Sequence, residues 1–211
     1  MISLISFEGG DGSGKTTQLK LLGDYIAGKG KICLCTREPG GTKLGKLIRQ
    51  VLLEIGGEEI SPTTELFLYL ADRSHHVQEV IQPALKGGKL VLCDRFTDST
   101  LAYQGFGRGV DFDLLRRLNQ LASEGITPDL TFLLDCPVDV GLFRTTHRIV
   151  ERREDRFERE KVEFHEKVRK GFLELAREEP NRIYVLDASR AIHQVHEEIR
   201  RVVDQKLKDG S

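Results

Sequence analysis

Residues 9–16, Gly-Gly-Asp-Gly-Ser-Gly-Lys-Thr, follow the pattern G-x-x-x-x-G-K-[ST]. Each residue type has a use there. Glycines let successive backbone N–H groups turn inward around phosphate oxygens, and a following helix adds its positive N-terminal end. Lys15 reaches the outer phosphates of a nucleoside triphosphate, and the Thr16 hydroxyl ligates Mg²⁺. Gly9, Gly10, Asp11, Gly12, Ser13, Gly14, Lys15, Thr16 and Thr17 thus form a candidate ATP cradle. A chance match in a chain of this size is on the order of one per cent. A second run, Gly40 to Lys46, also reads G-x-x-x-x-G-K, but Leu47 follows it. Without a hydroxyl for the metal, it is not read as a second nucleotide site.

A phosphate cradle alone leaves GTPases, ATP-driven machines, sulfotransfer-like proteins and small kinases open. An acceptor site must decide between them. Polar residues follow the later apolar runs: Arg37-Glu38-Pro39-Gly40-Gly41-Thr42, then Asp94-Arg95-Phe96-Thr97-Asp98-Ser99-Thr100, then Ala102-Tyr103-Gln104-Gly105. Asp94 stands where a carboxylate can hold Mg²⁺ directly or through water, and Arg95 can fork onto a phosphate. As a bare pair they fit a structural ion pair equally well. In Leu66-Phe67-Leu68-Tyr69-Leu70-Ala71-Asp72-Arg73-Ser74-His75-His76, Tyr69 and Arg73 are four apart and share a helix face. An aromatic ring with a guanidinium suits a nucleobase; a core aromatic beside a surface arginine is the plainer reading. Leu66 and Leu70 fit the core stripe, and His75 and His76 read as surface residues.

These residues need a scaffold, and the apolar pattern supplies one. Runs at 2–7, 31–36, 89–94, 129–135 and 182–187 are short and nearly continuous in apolar residues, as buried parallel strands are. Helical patterns lie near 15–28, 43–55, 62–86, 111–124, 137–147, 160–178 and 190–208. Such alternation predicts an α/β fold of about five parallel strands with helices on both faces. Ligands then gather at the carboxyl edge of the sheet. No linker divides the 211 residues, so one unit is expected over 1–211.

Composition narrows the class. The chain has 32 basic and 33 acidic residues, so bulk nucleic-acid binding is not expected. No run approaches the roughly 20 apolar residues of a membrane span, and the first ten residues lack a signal peptide's pattern. A cytoplasmic protein is expected, with Cys33, Cys35, Cys93 and Cys136 as reduced core thiols. Alternation puts Cys33 and Cys35 on one strand face.

Five segments, "FEGGDGSGKTT", "TREPGGT", "LYLADRSHH", "DRFTDSTLAYQG" and "FHEKVRKGFLELA", resemble bacterial thymidylate kinases, in order and over nearly the whole chain. The resemblance implies a P-loop NTPase fold with a short arginine-rich lid at about 144–161. It implies phosphoryl transfer from ATP–Mg²⁺ to dTMP, giving dTDP and ADP in dTTP synthesis, by a cytoplasmic homodimer. Carried over by position, Tyr69 would stack on thymine, with Arg73 and Gln104 bonded to the base and Thr100 near it. Tyr103 would press on the sugar where a ribose hydroxyl would sit. Arg95 and Arg49 would hold the dTMP phosphate, Asp11 would meet the 3′-hydroxyl, and Glu38 would order the acceptor loop or the metal's water shell. Asp187-Ala188-Ser189 would line the adenine pocket, or Ser189 would simply cap the last helix.

Catalysis would then rest on Lys15, Asp94, Arg95 and lid arginines, with the metal on Thr16 and Asp94. Some members carry an arginine in the P-loop where this chain has Gly12, which shifts that charge to the lid. Of Arg144, Arg148, Arg152, Arg153, Arg156 and Arg159, the first two are favoured, being four apart on a helix leaving the fourth strand. A solvated, locally paired helix face is the alternative. Phe157, Phe164, Val168, Phe172 and Leu175 keep helical spacing and read as core. Two rival functions are a deoxynucleoside kinase, which needs a carboxylate base, and a non-enzymatic nucleotide switch. A switch would carry a guanine-specific NKxD motif or an interaction tail, and neither is seen.

Overall fold

A computed structural model describes residues 2–54, 60–147, 156–157 and 160–209. Arg148, Arg152, Arg153 and Arg159 of the charged segment lie outside the described residues. Five strands, β1 (Leu4–Glu8), β2 (Cys33–Arg37), β3 (Leu90–Asp94), β4 (Leu130–Asp135) and β5 (Ile183–Asp187), form one parallel sheet in the order β2-β3-β1-β4-β5. The order reverses around β1. The loop after β1 therefore opens at the switch point, where a doubly wound sheet binds ligands. Register carries the site: Asp94 stands beside Phe7 on one flank and Arg37 on the other.

β1, β3 and most of β4 are buried on both faces, so their side chains feed two cores. On one face, Ile5, Phe7, Leu92 and Phe132 pack under α1 (Lys15–Gly28) and α9 (Ile192–Asp209), through Leu19, Leu22, Ile26, Val195 and Ile199. On the other lie α3 (Pro62–His76), α4 (Gln82–Lys86) and α8 (Val162–Glu178), joined by a π-helical turn at Val77–Ile81 between α3 and α4. The expected core residues Phe157, Phe164, Val168, Phe172 and Leu175 are all buried there. Local chemistry sets the helix starts. Thr42 caps α2 (Lys43–Leu53) by accepting from the Gly45 N–H at 2.9 Å, and Ser61 caps α3 ahead of Pro62. The second glycine-lysine run is thus a capped loop-to-helix turn.

Three expectations change. The segment after β3, which shows no helical pattern in the sequence, is helical: α5 (Thr97–Thr100) runs into a π-helical stretch at Leu101–Gly107. Its glycines are there for clearance. A Cβ on Gly107 would stand 2.7 Å from the Phe164 ring of α8, and one on Gly171 would stand 2.5 Å from Phe106. Cys93 and Cys136 are buried, but Cys33 is only half-buried and Cys35 is exposed. β2 is an edge strand, and Gly23 of α1, without a side chain, lies against the two sulfurs. Ser189 does not cap a helix: it bonds Asp187, and α9 begins at Ile192. α6 (Phe112–Ala122), capped by Asp111, and α7 (Val138–His147) complete the fold. Among the described residues no helix is long and apolar enough to cross a membrane.

Candidate active site

The loop of residues 9–14 bends through φ of 132° at Gly9, 71° at Gly12 and 94° at Gly14, values that only glycine adopts readily. Lys15 opens α1 and is buried; its Nζ donates to the carbonyls of Gly9 (3.0 Å) and Gly10 (2.7 Å). Burial, then the charge of Arg95, pulls its pKa down to about 8, against the opposing pull of Asp11, Asp94 and Glu8. Thr16 Oγ1 donates to Asp94 Oδ2 at 2.5 Å. A hydroxyl and a carboxylate side by side at the loop are hard oxygen donors, and they fit Mg²⁺ that completes its shell with water and phosphate. No group of three or more His, Cys, Asp or Glu among the described residues forms a protein-only metal cage.

Beside the loop lies a cleft of about 530 Å³, its open mouth included. It brings together residues from four separate stretches. Tyr69 and Arg73 come from α3, and Glu38 and Arg49 from β2–α2. Arg95, Thr100, Tyr103 and Gln104 come from the segment after β3, and Asp11 from the loop itself. All nine expected acceptor-site residues thus share one wall-to-wall cavity. Phe157, read as core, also lines it, with its ring 6.3 Å from that of Tyr69. Arg49 donates to the Pro39 carbonyl at 3.1 Å, and Gln104 to Glu65 at 3.0 Å.

Arg95 is the hub between cleft and loop. Its φ of 69° is unusual for a side-chain-bearing residue, and such strain persists only where neighbours hold it. Its guanidinium donates to Gly9 O at 3.0 Å, Ser99 Oγ at 3.2 Å, Asp11 Oδ1 at 2.7 Å and Tyr103 OH at 3.1 Å. Burial works to raise the Asp11 carboxyl, but Arg95, Lys15 and His165 outweigh it and hold the pKa below the usual range. Burial pushes the Tyr69 and Tyr103 phenols up, so both stay protonated.

Several residues escaped the sequence reading. Glu8, fully buried at the end of β1, accepts from Phe96 N–H at 2.7 Å and Ser99 Oγ at 2.5 Å, and so braces the Arg95 turn. Its signal was a carboxylate closing an apolar strand. His76 is corrected outright. It is completely buried, not on the surface, with Nδ1 2.9 Å from Glu38 Oε1 and Nε2 2.6 Å from Thr36 Oγ1. Asp72, four residues before it on the same face, accepts from Gly40 N–H at 3.0 Å. Together they hold the loop that carries Glu38. The spacing Asp72-Arg73-x-x-His76 was visible, but its partners were not.

A second cleft, about 500 Å³, flanks the outer side of the loop between Gly12–Gly14, Thr17 and the start of α9. Arg144 of α7 lines it, donating to the Ala188 carbonyl at 2.8 Å. Arg156 bonds Glu65 and the Leu52 carbonyl instead of facing either cleft.

The comparisons with known proteins agree with this geometry. Residues 7–199 match the family model described as thymidylate kinase. The chain is 49% identical over 209 residues to a thymidylate kinase of Geotalea uraniireducens, covering 98% of each chain. It is 56% identical over 188 residues to one of Geobacter sulfurreducens, covering 88% of each. Its fold superposes on the crystal structure of thymidylate kinase from Ehrlichia chaffeensis with a TM-score of 0.77 and 35% identity, over 96% of this chain and 98% of that one. The chain belongs to the thymidylate kinase family.

Proposed function

We infer that the protein transfers the terminal phosphoryl group of ATP to dTMP, giving ADP and dTDP. The observation that carries this reading is a cleft lined by Tyr69 and Arg73 together with Arg49 and Arg95, with Arg95 tied to the phosphate loop. Arginines converging on the acceptor suit a phosphate. A nucleoside acceptor would need a carboxylate base, yet Glu38 is already engaged by Arg73 and His76, and Asp11 by Arg95.

A nucleoside monophosphate is ionised near neutral pH and is already a nucleophile. The protein's tasks are therefore to align two anions and offset their charge. Gly9 to Thr17 cradle ATP, and Lys15 meets its outer phosphates. Arg95 and Arg49 seat the acceptor phosphate, Asp11 takes the sugar 3′-hydroxyl, and Tyr103 closes the space of a 2′-hydroxyl. Tyr69 stacks on the base, while Arg73, Thr100 and Gln104 bond its edge and Glu38 keeps Arg73 oriented. Thr16 and Asp94 would hold Mg²⁺, which when bound supplies charge neutralisation between the phosphates. Arg144 lies along the donor cleft, and Arg148 is the second arginine to which we assign charge in the transfer.

The working unit is a homodimer in the reducing cytoplasm, acting on nucleotides and not on nucleic acid. Leu44, Leu47 and Val51 of α2, Phe67 of α3 and Leu121 of α6 leave apolar surface exposed on helices that pack together, and a second copy would cover it. Sedimentation should give twice the 23.8 kDa chain mass; a monomer at micromolar concentration would remove the dimer.

The test is ADP release from ATP–Mg²⁺ with dTMP, dUMP, AMP, GMP, CMP and thymidine offered separately. Strong preference for dTMP is expected. Turnover with thymidine but not dTMP would move the protein to the nucleoside kinases.

A further inference from the structure

Arg73 is 2% exposed, and a guanidinium has five N–H groups to place. Four have acceptors. Nε donates to Glu38 Oε2 at 2.8 Å, and Nη1 donates to Thr100 Oγ1 at 2.7 Å and Asn119 Oδ1 at 2.5 Å. Nη2 donates to the Phe96 carbonyl at 2.9 Å, and the Phe96 ring lies 5.3 Å from the guanidinium carbon. One Nη2 proton is left, on a side chain that lines the acceptor cleft. Because the fork is planar, the four bonds fix where the fifth N–H points.

Asn119 is the least expected of these partners. It is buried and comes from α6, which puts no side chain into the cleft. Its amide is oriented from both ends: Nδ2 donates to the Thr97 carbonyl at 3.1 Å, which turns Oδ1 onto Arg73. The flipped amide would set N–H against N–H and carbonyl against carbonyl. Asn119 therefore joins α6, the turn after β3 and the Arg73 side chain of α3.

We propose that Asn119 is a positioning residue for base selection, acting through Arg73 to present a single N–H donor to the base edge. The inference rests on the reading of the cleft as a dTMP site. A pyrimidine with a carbonyl at ring position 4 accepts that donor. One with an amino group there meets it N–H to N–H and leaves buried donors unpaired, a costly mismatch. Without Asn119 an Nη1 proton loses its acceptor, the fork can turn, and the distinction weakens.

The experiment compares kcat/KM for dTMP with that for dCMP in the full-length protein and in Asn119→Leu and Asn119→Asp, with Tm recorded for each. Asp keeps an acceptor for Arg73 but loses the donor to Thr97; Leu loses both. Asn119→Leu should lower the dTMP/dCMP ratio roughly tenfold or more, while Asn119→Asp keeps it within about threefold despite a lower Tm. If Asn119 only supported the fold, selectivity would not separate from stability. A folded Leu variant with the original ratio would overturn the proposal, as would equal losses of kcat on both substrates. Should Leu fail to fold, Asn119→Ser, which is too short to reach Arg73, takes its place with the same expected loss. Equal use of dTMP and dCMP by the unaltered protein would instead overturn the dTMP reading itself.

Discussion

Thr16 Oγ1 donates its 2.5 Å hydrogen bond to Asp94 Oδ2, so the first turn of α1 meets the last residue of β3 at one point. On the proposed reading the pair would hold the donor's metal, with unequal contributions from the two residues. Thr16→Val removes a neutral ligand and Asp94→Asn a charge. Both should raise the Mg²⁺ concentration needed for half-maximal rate, with Asp94→Asn also lowering kcat by about tenfold or more. Rate measured against Mg²⁺ at saturating ATP and dTMP checks this. Unchanged Mg²⁺ curves in both variants would place the metal elsewhere.

Lys15 has its pKa pulled to about 8 by burial and by Arg95. Bound phosphates add negative charge, which favours the ammonium form and raises that pKa. At pH 8 about half of the free protein's Lys15 is neutral, so ATP binding should take up about half a proton. Calorimetry in two buffers of different ionisation enthalpy reads this directly. Lys15→Arg, always charged, should show no such uptake. Equal heats in both buffers for the unaltered protein would rule the shift out.

Glu8 is raised from 4.5 to about 8, by burial first and the nearby Asp98 second; the bonds from Ser99 and Phe96 and the charge of Arg95 offset this only in part. The sign follows from linkage. A carboxyl that holds its proton more tightly when folded contributes stability fully present below 4.5 and lost as pH rises through about 8. The Tm of the unaltered protein minus that of Glu8→Gln should therefore shrink by about 5 °C or more between pH 5 and pH 9. A constant difference would mean that Glu8 is ionised throughout.

Much of this molecule could be read before its structure was known, for identifiable reasons. Buried parallel strands announce themselves as apolar runs, and Gly9 to Thr16 need a conformation few other sequences satisfy. Tyr69, Arg73, Arg95 and Gln104 were assigned to one site through the resemblance of their segments, and the structure brings the four into one cleft. What stayed hidden is relational. His76 differs from a surface histidine only by Glu38 and Thr36, which come from other elements. Asn119 looks like any polar residue in an amphipathic helix until Thr97 and Arg73 are seen on its two ends. The helical turn at 97–107 was masked by glycines, which there make room for Phe112 and Phe164.

Gly12 and Gly141 bring the phosphate loop and α7 into backbone contact: a Cβ on Gly12 would collide with the Gly141 carbonyl, and φ at Gly12 is 71°. Position 12 therefore cannot carry a side chain unless α7 moves, and Gly12→Ala should lower Tm by about 5 °C or more. The consequence is catalytic as well as structural. With no room for an arginine in the loop, the further charge on the transferring phosphoryl group, beyond that of Lys15 and Arg95, is expected from Arg144 and Arg148. Arg148→Ala should then lower kcat by about a hundredfold or more, with little change in the KM for dTMP. Adding Gly12→Arg to that variant should not restore the rate, because α7 occupies the space the new side chain needs. A defect confined to dTMP binding, or rescue by Gly12→Arg, would show that the contact does not decide where the arginine must be.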